Sequence, residues 1–295
     1  MSRTHVVTSA ELQSLRDLEL VTKATVEGLR QGLHRSPFHG FSAEFSQYRH
    51  YRPGDDLKYV DWKAFARTDR IYTRQFRETT NLSALFVVDI SRSMDFPSGS
   101  RRSKFELARS VAAILGTLVL DQGDAAGVLA LDDRAHFVPA RTGHHHLRVF
   151  LAELASLGPH GSSSIAEALR RAATILKRRG LVIVVSDLYD DDAAAGQLRR
   201  LARMGHDVIV VHTLSREELT LAVGGAAEFV DLESGRRLMV QPSAAREAYV
   251  ATVTRWLTTI EQQLRRDGID YTRLIADEPL EPPLRRFLVT RRGSS

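Results

Sequence analysis

The chain has 295 residues, 43% of them hydrophobic and 26% charged, with 41 Lys and Arg against 36 Asp and Glu and no cysteine. These values exclude collagen-like, coiled-coil and wholly disordered chains, and the missing thiols exclude disulfides, thiolate zinc sites and cysteine nucleophiles. The formal net charge of +5 invites a nucleic-acid reading, but residues 1–80 carry +3, residues 81–284 carry −2 and the last eleven carry +4, so the body of the chain is not basic. No run approaches the roughly 20 apolar residues of a membrane helix, and the first residues lack an apolar signal core. The expectation is a cytoplasmic chain with no membrane contact.

In chain order, Leu12, Leu15, Leu18, Thr22, Val26 and Leu29 recur at helical spacing and predict a helix over 11–33. Residues 34–60 have no helical period and read as irregular chain with short strands. Alternation over 71–78 suits a strand. Leu82–Ile90 is a near-continuous apolar run, the pattern of a strand buried on both faces. Helices follow at 104–120, 145–155, 165–178, 193–204 and 243–266, with a final short one at 284–288. Further strands are expected at 125–131, 135–138, 181–186, 207–212 and 271–275, with an inserted hairpin near 220–241. Strands alternating with helices predict an α/β fold, a doubly wound, mostly parallel sheet with helices on both faces. The expected organisation is an N-terminal segment 1–81, a sheet domain 82–290 and a basic tail 291–295.

Such sheets gather ligand groups beyond the carboxyl ends of their strands. Three polar elements fall there: Asp89-Ile-Ser91-Arg92-Ser93 after the first buried strand, Gly161-Ser162-Ser163-Ser164, and Ser186-Asp187 after a later strand. Together they form an oxygen-only set, which suits a hard divalent cation such as Mg²⁺, or Mn²⁺ or Ca²⁺. These residues resemble the metal-ion-dependent adhesion site of von Willebrand factor A domains. That family carries Asp-x-Ser-x-Ser after its first strand, a Thr in a Gly-Gly-Thr loop and an Asp after its fourth strand. The resemblance implies metal roles for Asp89, Ser91, Ser93, Ser163 and Asp187, with an acidic partner side chain completing the site. The loop departs from the family pattern: Ser163 keeps the hydroxyl and loses the methyl, and Ser164 is an alternative ligand.

A second string is more specific. Tyr51-Arg-Pro53-Gly54-Asp55-Asp56, then Asp61-Trp62-Lys63, resembles the signature of the bacterial family numbered fifty-eight among the domains of unknown function, over about residues 30–290. In that family the signature precedes a von Willebrand A-like domain, and members often occur beside MoxR-type AAA+ ATPases. The resemblance implies a metal-dependent protein-binding module, an adaptor or co-chaperone rather than an enzyme, with a MoxR-type ATPase as partner. The alternative is a Mg²⁺-dependent phosphoryl-transfer or hydrolytic enzyme, although no Gly-x-x-x-x-Gly-Lys-Ser/Thr loop occurs. Asp55, Asp56, Asp61, Trp62 and Arg92 are candidate partner-binding residues. Trp62 is also expected to anchor its segment on the sheet. His144-His145-His146 reads as a helix start, Asp190–Asp192 as a cap of the next helix, and the arginine pairs at 285–286 and 291–292 as a solvated tail.

Overall fold

The computed structural model describes residues 9–30, 43–52, 60–78, 82–96, 102–132, 134–159, 164–189, 191–222, 225, 227–232 and 235–292. It is a mixed α/β protein with a mostly parallel central sheet. Helix α1 spans Ser9–Arg30. Strands β1 (Ala43–His50) and β2 (Tyr72–Glu78) pair antiparallel, with α2 (Trp62–Thr68) between them in sequence. Asp61 caps α2, its carboxylate accepting the Ala64 N–H at 2.9 Å.

The central sheet follows: β3 (Ser83–Val88), α3 (Lys104–Asp121), β4 (Ala125–Leu131), β5 (Ala135–Arg141), α4 (His144–Ser156), α5 (Ile165–Ile175), β6 (Leu181–Ser186), α6 (Asp191–Arg203) and β7 (Asp207–Leu214). Then come α7 (Arg216–Thr220), a separate antiparallel hairpin of β8 (Ala227–Val230) and β9 (Arg237–Val240), α8 (Pro242–Arg266), β10 (Asp270–Ile275) and α9 (Glu281–Arg292). The strand order is β10-β7-β6-β3-β4-β5, parallel except for the β4–β5 pair. From β3 the chain first builds outward through β4 and β5, then returns to place β6 on the other side. The order therefore reverses between β3 and β6, the place where open α/β sheets form a ligand crevice.

The apolar run in β3 works as the double-sided pattern requires. Ala84, Phe86 and Val88 pack into one cluster with residues of α1, α3, α4 and α9. Leu85 and Val87, pointing the other way, pack with residues of α5, α6 and α8. Helix α1 joins the first cluster through Leu18, Val26 and Leu29. Gly28 lets α9 approach: a Cβ there would lie 2.7 Å from the Glu281 carboxylate.

Helices α2 and α7 lie outside the sequence expectation, α5 ends at Ile175 rather than 178, and three further features depart from that expectation. Helix α9 begins at Glu281, because Pro282 and Pro283 occupy its first turn, where a missing N–H breaks no bond. It runs through Arg292, and Arg291 reaches Asp207 and, at 2.6 Å, Asp270 instead of standing in solvent. Strand β5 continues past Pro139 to Arg141, tolerated because β5 is an edge strand. Trp62 does not anchor its segment: it is 58% exposed and meets Phe65 edge-on.

Candidate metal site

The carboxyl ends of β3 and β6 are tied together at the crevice. The Asp89 N–H donates to the Val185 carbonyl at 2.9 Å. Asp89 Oδ1 accepts the Ser91 N–H at 2.9 Å, an Asx turn that bends the chain out of β3. Asp89 Oδ2 accepts the Ser186 hydroxyl at 2.5 Å, and the Ser186 oxygen in turn accepts the Leu188 N–H at 2.9 Å. Leu188 has φ 54, a left-handed conformation uncommon for a branched apolar residue, so the chain bends sharply right after Asp187.

Beyond Asp89 the chain makes a short 3₁₀ turn, Arg92–Asp95, held down by the fully buried Met94. The Thr213 hydroxyl lies 3.6 Å from the Met94 sulfur. This turn brings the Ser91 and Ser93 hydroxyls within 3.0 Å of each other, while Arg92 is exposed. Asp89, Ser91, Ser93, Ser164 and Asp187 line one cleft of about 610 Å³. Ser164 also caps α5, accepting the Glu167 N–H at 3.4 Å. Ser163, Asp55 and Asp56 lie outside the described residues. Asp61 is 3% exposed and serves as the α2 cap.

Electrostatics distinguishes the two aspartates. Asp89 is 3% exposed, and burial, with the Asp187 charge adding to it, pushes its carboxyl up to about 6. Asp187 is compensated by Lys104, whose ammonium lies 2.8 Å from Asp187 Oδ2 and also reaches Glu218 of α7. Lys104 is fully buried. Its Nζ sits 4.6 Å from the centre of the Tyr189 ring, and Tyr189 stacks on Trp256 at 5.7 Å. Behind this, His212 fixes the Asp187 backbone. Its Nε2 lies 2.8 Å from the Asp187 carbonyl, which can only accept, so Nε2 carries the hydrogen and Nδ1 accepts from the Tyr271 hydroxyl at 2.8 Å. Burial, foremost, lowers the His212 pKa to about 4, which keeps that tautomer neutral.

Lys104, Met94 and Glu218 also belong to the site without any motif pointing to them, and Ser186, expected beside Asp187 at the strand end, acts as the hydroxyl that holds Asp89. A signal for Lys104 was available. It is the first residue of α3, where a cation opposes the helix dipole, in a helix end already closed by a Ser103–Glu106 capping box. A lysine there is mildly unfavourable, and here carboxylates from elsewhere in the fold receive it. His146 was likewise more than a helix start: it is 7% exposed, and its Nε2 donates to the Ala126 carbonyl at 2.7 Å.

Among the described residues no three His, Asp or Glu side chains converge as a metal cluster. The donors available here are two carboxylates and serine hydroxyls, all oxygen, which could hold a hard cation and leave coordination positions open to the cleft.

A family model described as protein of unknown function, DUF58, matches residues 47–258. The chain belongs to the DUF58 family. The match is narrower than the 30–290 expected from the signature, yet it contains Asp89, Ser91, Ser93, Lys104, Ser186 and Asp187. Uncharacterized proteins of Mycobacterium bovis and Mycobacterium tuberculosis are 30% identical to this DUF58 member over 288 residues, 95% of this chain and 89% of theirs. An uncharacterized protein of Bacillus subtilis is 24% identical over 221 residues, 74% of this chain and 51% of that one. Similar solved structures include the conserved hypothetical protein BatB of Bacteroides thetaiotaomicron, with TM-score 0.42, 19% identity, and coverage of 72% of this chain and 99% of that one. An aerotolerance-related membrane protein of Bacteroides fragilis has TM-score 0.43, 15% identity, and coverage of 72% and 100%. No helix among the described residues is long and apolar enough to cross a membrane.

Proposed function

We propose that this DUF58 chain is a divalent-cation-dependent protein-binding module of the von Willebrand factor A type, working with a MoxR-type AAA+ ATPase in assembly or maturation of other proteins. The observation that carries the reading is the convergence of Asp89, Ser91, Ser93 and Asp187 on one cleft at the reversal point of the sheet. Asp89 follows the first strand of that sheet in chain order and Asp187 the fourth, the positions that the von Willebrand A pattern requires. The residues also suit the cation physically. Asp89 is buried beside a second carboxylate and holds its proton more tightly than usual, and a divalent cation relieves that crowding. In this reading Ser91 and Ser93 ligate directly through their hydroxyls, Ser186 orients Asp89, and Asp187, already engaged by Lys104, acts through water. A carboxylate of the partner fills an open position.

The test is capture of the purified MoxR-type ATPase from the same genome, with 5 mM Mg²⁺ or with EDTA, by the native chain and by Asp89→Ala. Retention that depends on Mg²⁺ and is lost in the variant is expected; binding indifferent to both refutes the proposal.

A further inference from the structure

Lys104 already brings a positive charge to the edge of the cleft. Its ammonium is fully buried, lies 2.8 Å from Asp187 Oδ2 and reaches Glu218 with another hydrogen. Asp187 and Glu218 both line the cleft, and the charge of Asp187 is felt at Asp89. With these four groups ionised, one ammonium faces three carboxylates. A divalent cation at Asp89 and Asp187 would balance the two charges that remain. It would also meet the ammonium as a like charge across a shared carboxylate.

Lys104 has a second acceptor to fall back on. The lysine stem is flexible and its ammonium carries three donors. Glu218 is held in place: its Oε2 takes the Ser215 N–H at 2.9 Å in the capping box of α7, which leaves Oε1 for Lys104. An ammonium pushed from Asp187 therefore keeps a carboxylate in reach and avoids the penalty of an unpaired buried charge. A monovalent ion offers Asp187 no more charge than the ammonium it would displace, so Lys104 also favours cations of higher charge.

Glu218 carries the event outward. Helix α7 has five residues, too few to hold a helix alone. It is fastened at Glu218, whose carboxylate meets Lys104 and whose carbonyl accepts the Tyr249 hydroxyl of α8 at 2.8 Å. Leu221 closes the helix at φ 47, a left-handed conformation that branched residues seldom adopt, and it lines the cleft. The β8–β9 hairpin that follows lines it too, through Phe229 and Val230.

We infer that Lys104 is a resident rival of the divalent cation for Asp187, and that filling the site passes its ammonium to Glu218, tightening α7 and the cleft wall beyond it. The inference rests on the cation reading above and adds the means by which the site reports its own occupancy.

The test is a double-mutant cycle on Tb³⁺ affinity, read by luminescence sensitised through Tyr189 at the cleft, with Asp89→Ala as the blank. Lys104→Met should bind Tb³⁺ about tenfold or more tightly than the native chain, a gain that damage to the fold would not give. Glu218→Gln keeps the cap of α7 but leaves the ammonium to Asp187 alone, and should weaken binding about tenfold. In the Lys104→Met background the same change should matter about threefold or less. Amide exchange reads α7 directly, and stays informative if Lys104→Met does not fold. On adding Mg²⁺, the Leu221 N–H, bonded to the Glu217 carbonyl at 2.9 Å, should slow in the native chain and not in Glu218→Gln. Binding by Lys104→Met no tighter than native, an equal effect of Glu218→Gln in both backgrounds, or Leu221 exchange indifferent to Mg²⁺ overturns the inference alone. Absence of Asp89-dependent Tb³⁺ binding from both the native chain and Lys104→Met overturns the cation reading and this inference with it.

Discussion

Lys104→Met isolates the electrostatics of the site with little change in packing, since methionine fills the volume of the lysine stem. In the native chain the fully buried ammonium lies 2.8 Å from Asp187 and also reaches Glu218. Its removal leaves Asp187, at 1% exposure, facing a second carboxylate with no counter-charge and Asp89 close by. Breaking a buried ion pair from one side costs about 3–5 kcal/mol. At about 2–4 °C per kcal/mol for a protein of this size class, the melting temperature in EDTA should fall by roughly 6–20 °C. Two further outcomes separate this account from simple loss of packing. Adding Mg²⁺ should raise the variant's melting temperature more than the native chain's, because Asp187 is released to engage the cation; a cation at about 100 times its Kd contributes about 2.7 kcal/mol. Glu218→Gln in the Lys104→Met background should recover part of the loss by removing one of the orphaned charges. Circular-dichroism melts of the three proteins with and without Mg²⁺ decide the matter. If Lys104→Met melts in EDTA within about 2 °C of the native chain, the ammonium is not the internal counter-ion described here.

Ser186→Ala removes the buried hydroxyl that holds Asp89 Oδ2 and receives the Leu188 N–H, and should weaken Tb³⁺ binding about 10–100-fold while costing about 1–3 kcal/mol of stability; luminescence titration of the folded variant checks it, and unchanged affinity counts against the orienting role. Asp124, buried where it accepts the Leu82 N–H at 2.9 Å, has its carboxyl pushed from 3.8 up to about 6 by burial, so its contribution is full below pH 3.8 and is lost as pH rises through 6. Asp124→Asn should therefore gain on the native chain by up to about 3 kcal/mol between pH 4 and pH 7 in urea unfolding, and a pH-independent difference refutes this. Gly116→Ala drives a methyl to 2.3 Å from the Phe150 ring between α3 and α4, and thermal unfolding should show a loss of about 1–3 kcal/mol.

The strands were legible because burial writes itself locally. Leu82–Ile90 and Leu181–Ser186 are apolar at successive positions, and a sheet covered on both faces asks for that. Asp89, Ser91, Ser93 and Asp187 were legible because spacing within a turn, and position after a strand, are properties of short segments. Lys104 left only the oddity of a cation at a helix start, because the carboxylate that explains it lies 83 positions away. Ser186 was legible as a polar residue at the strand end, but not as the holder of Asp89, because that partner lies 97 positions away across the sheet. Arg291 failed as a tail residue for the same reason: the Asp270 that receives it is distant enough in sequence to leave no local pattern. Trp62 shows the reverse error, since a large aromatic side chain implies burial only where something covers it.

The junction of α1 and α9 has a consequence for the order in which the protein is made. The Arg285 guanidinium donates to the Gly28 carbonyl at 2.6 Å across a separation of 257 residues. At ribosomal speeds of about 5–20 residues per second, α1 emerges roughly 13–50 s before the helix that closes over it. Once α3 and α4 have followed, Val26 and Leu29 have them for company, but for the rest of that interval no Leu284 or Leu288. The growing chain therefore carries an unfinished apolar seam until α9 is released, and that interval is when a chaperone would find something to hold.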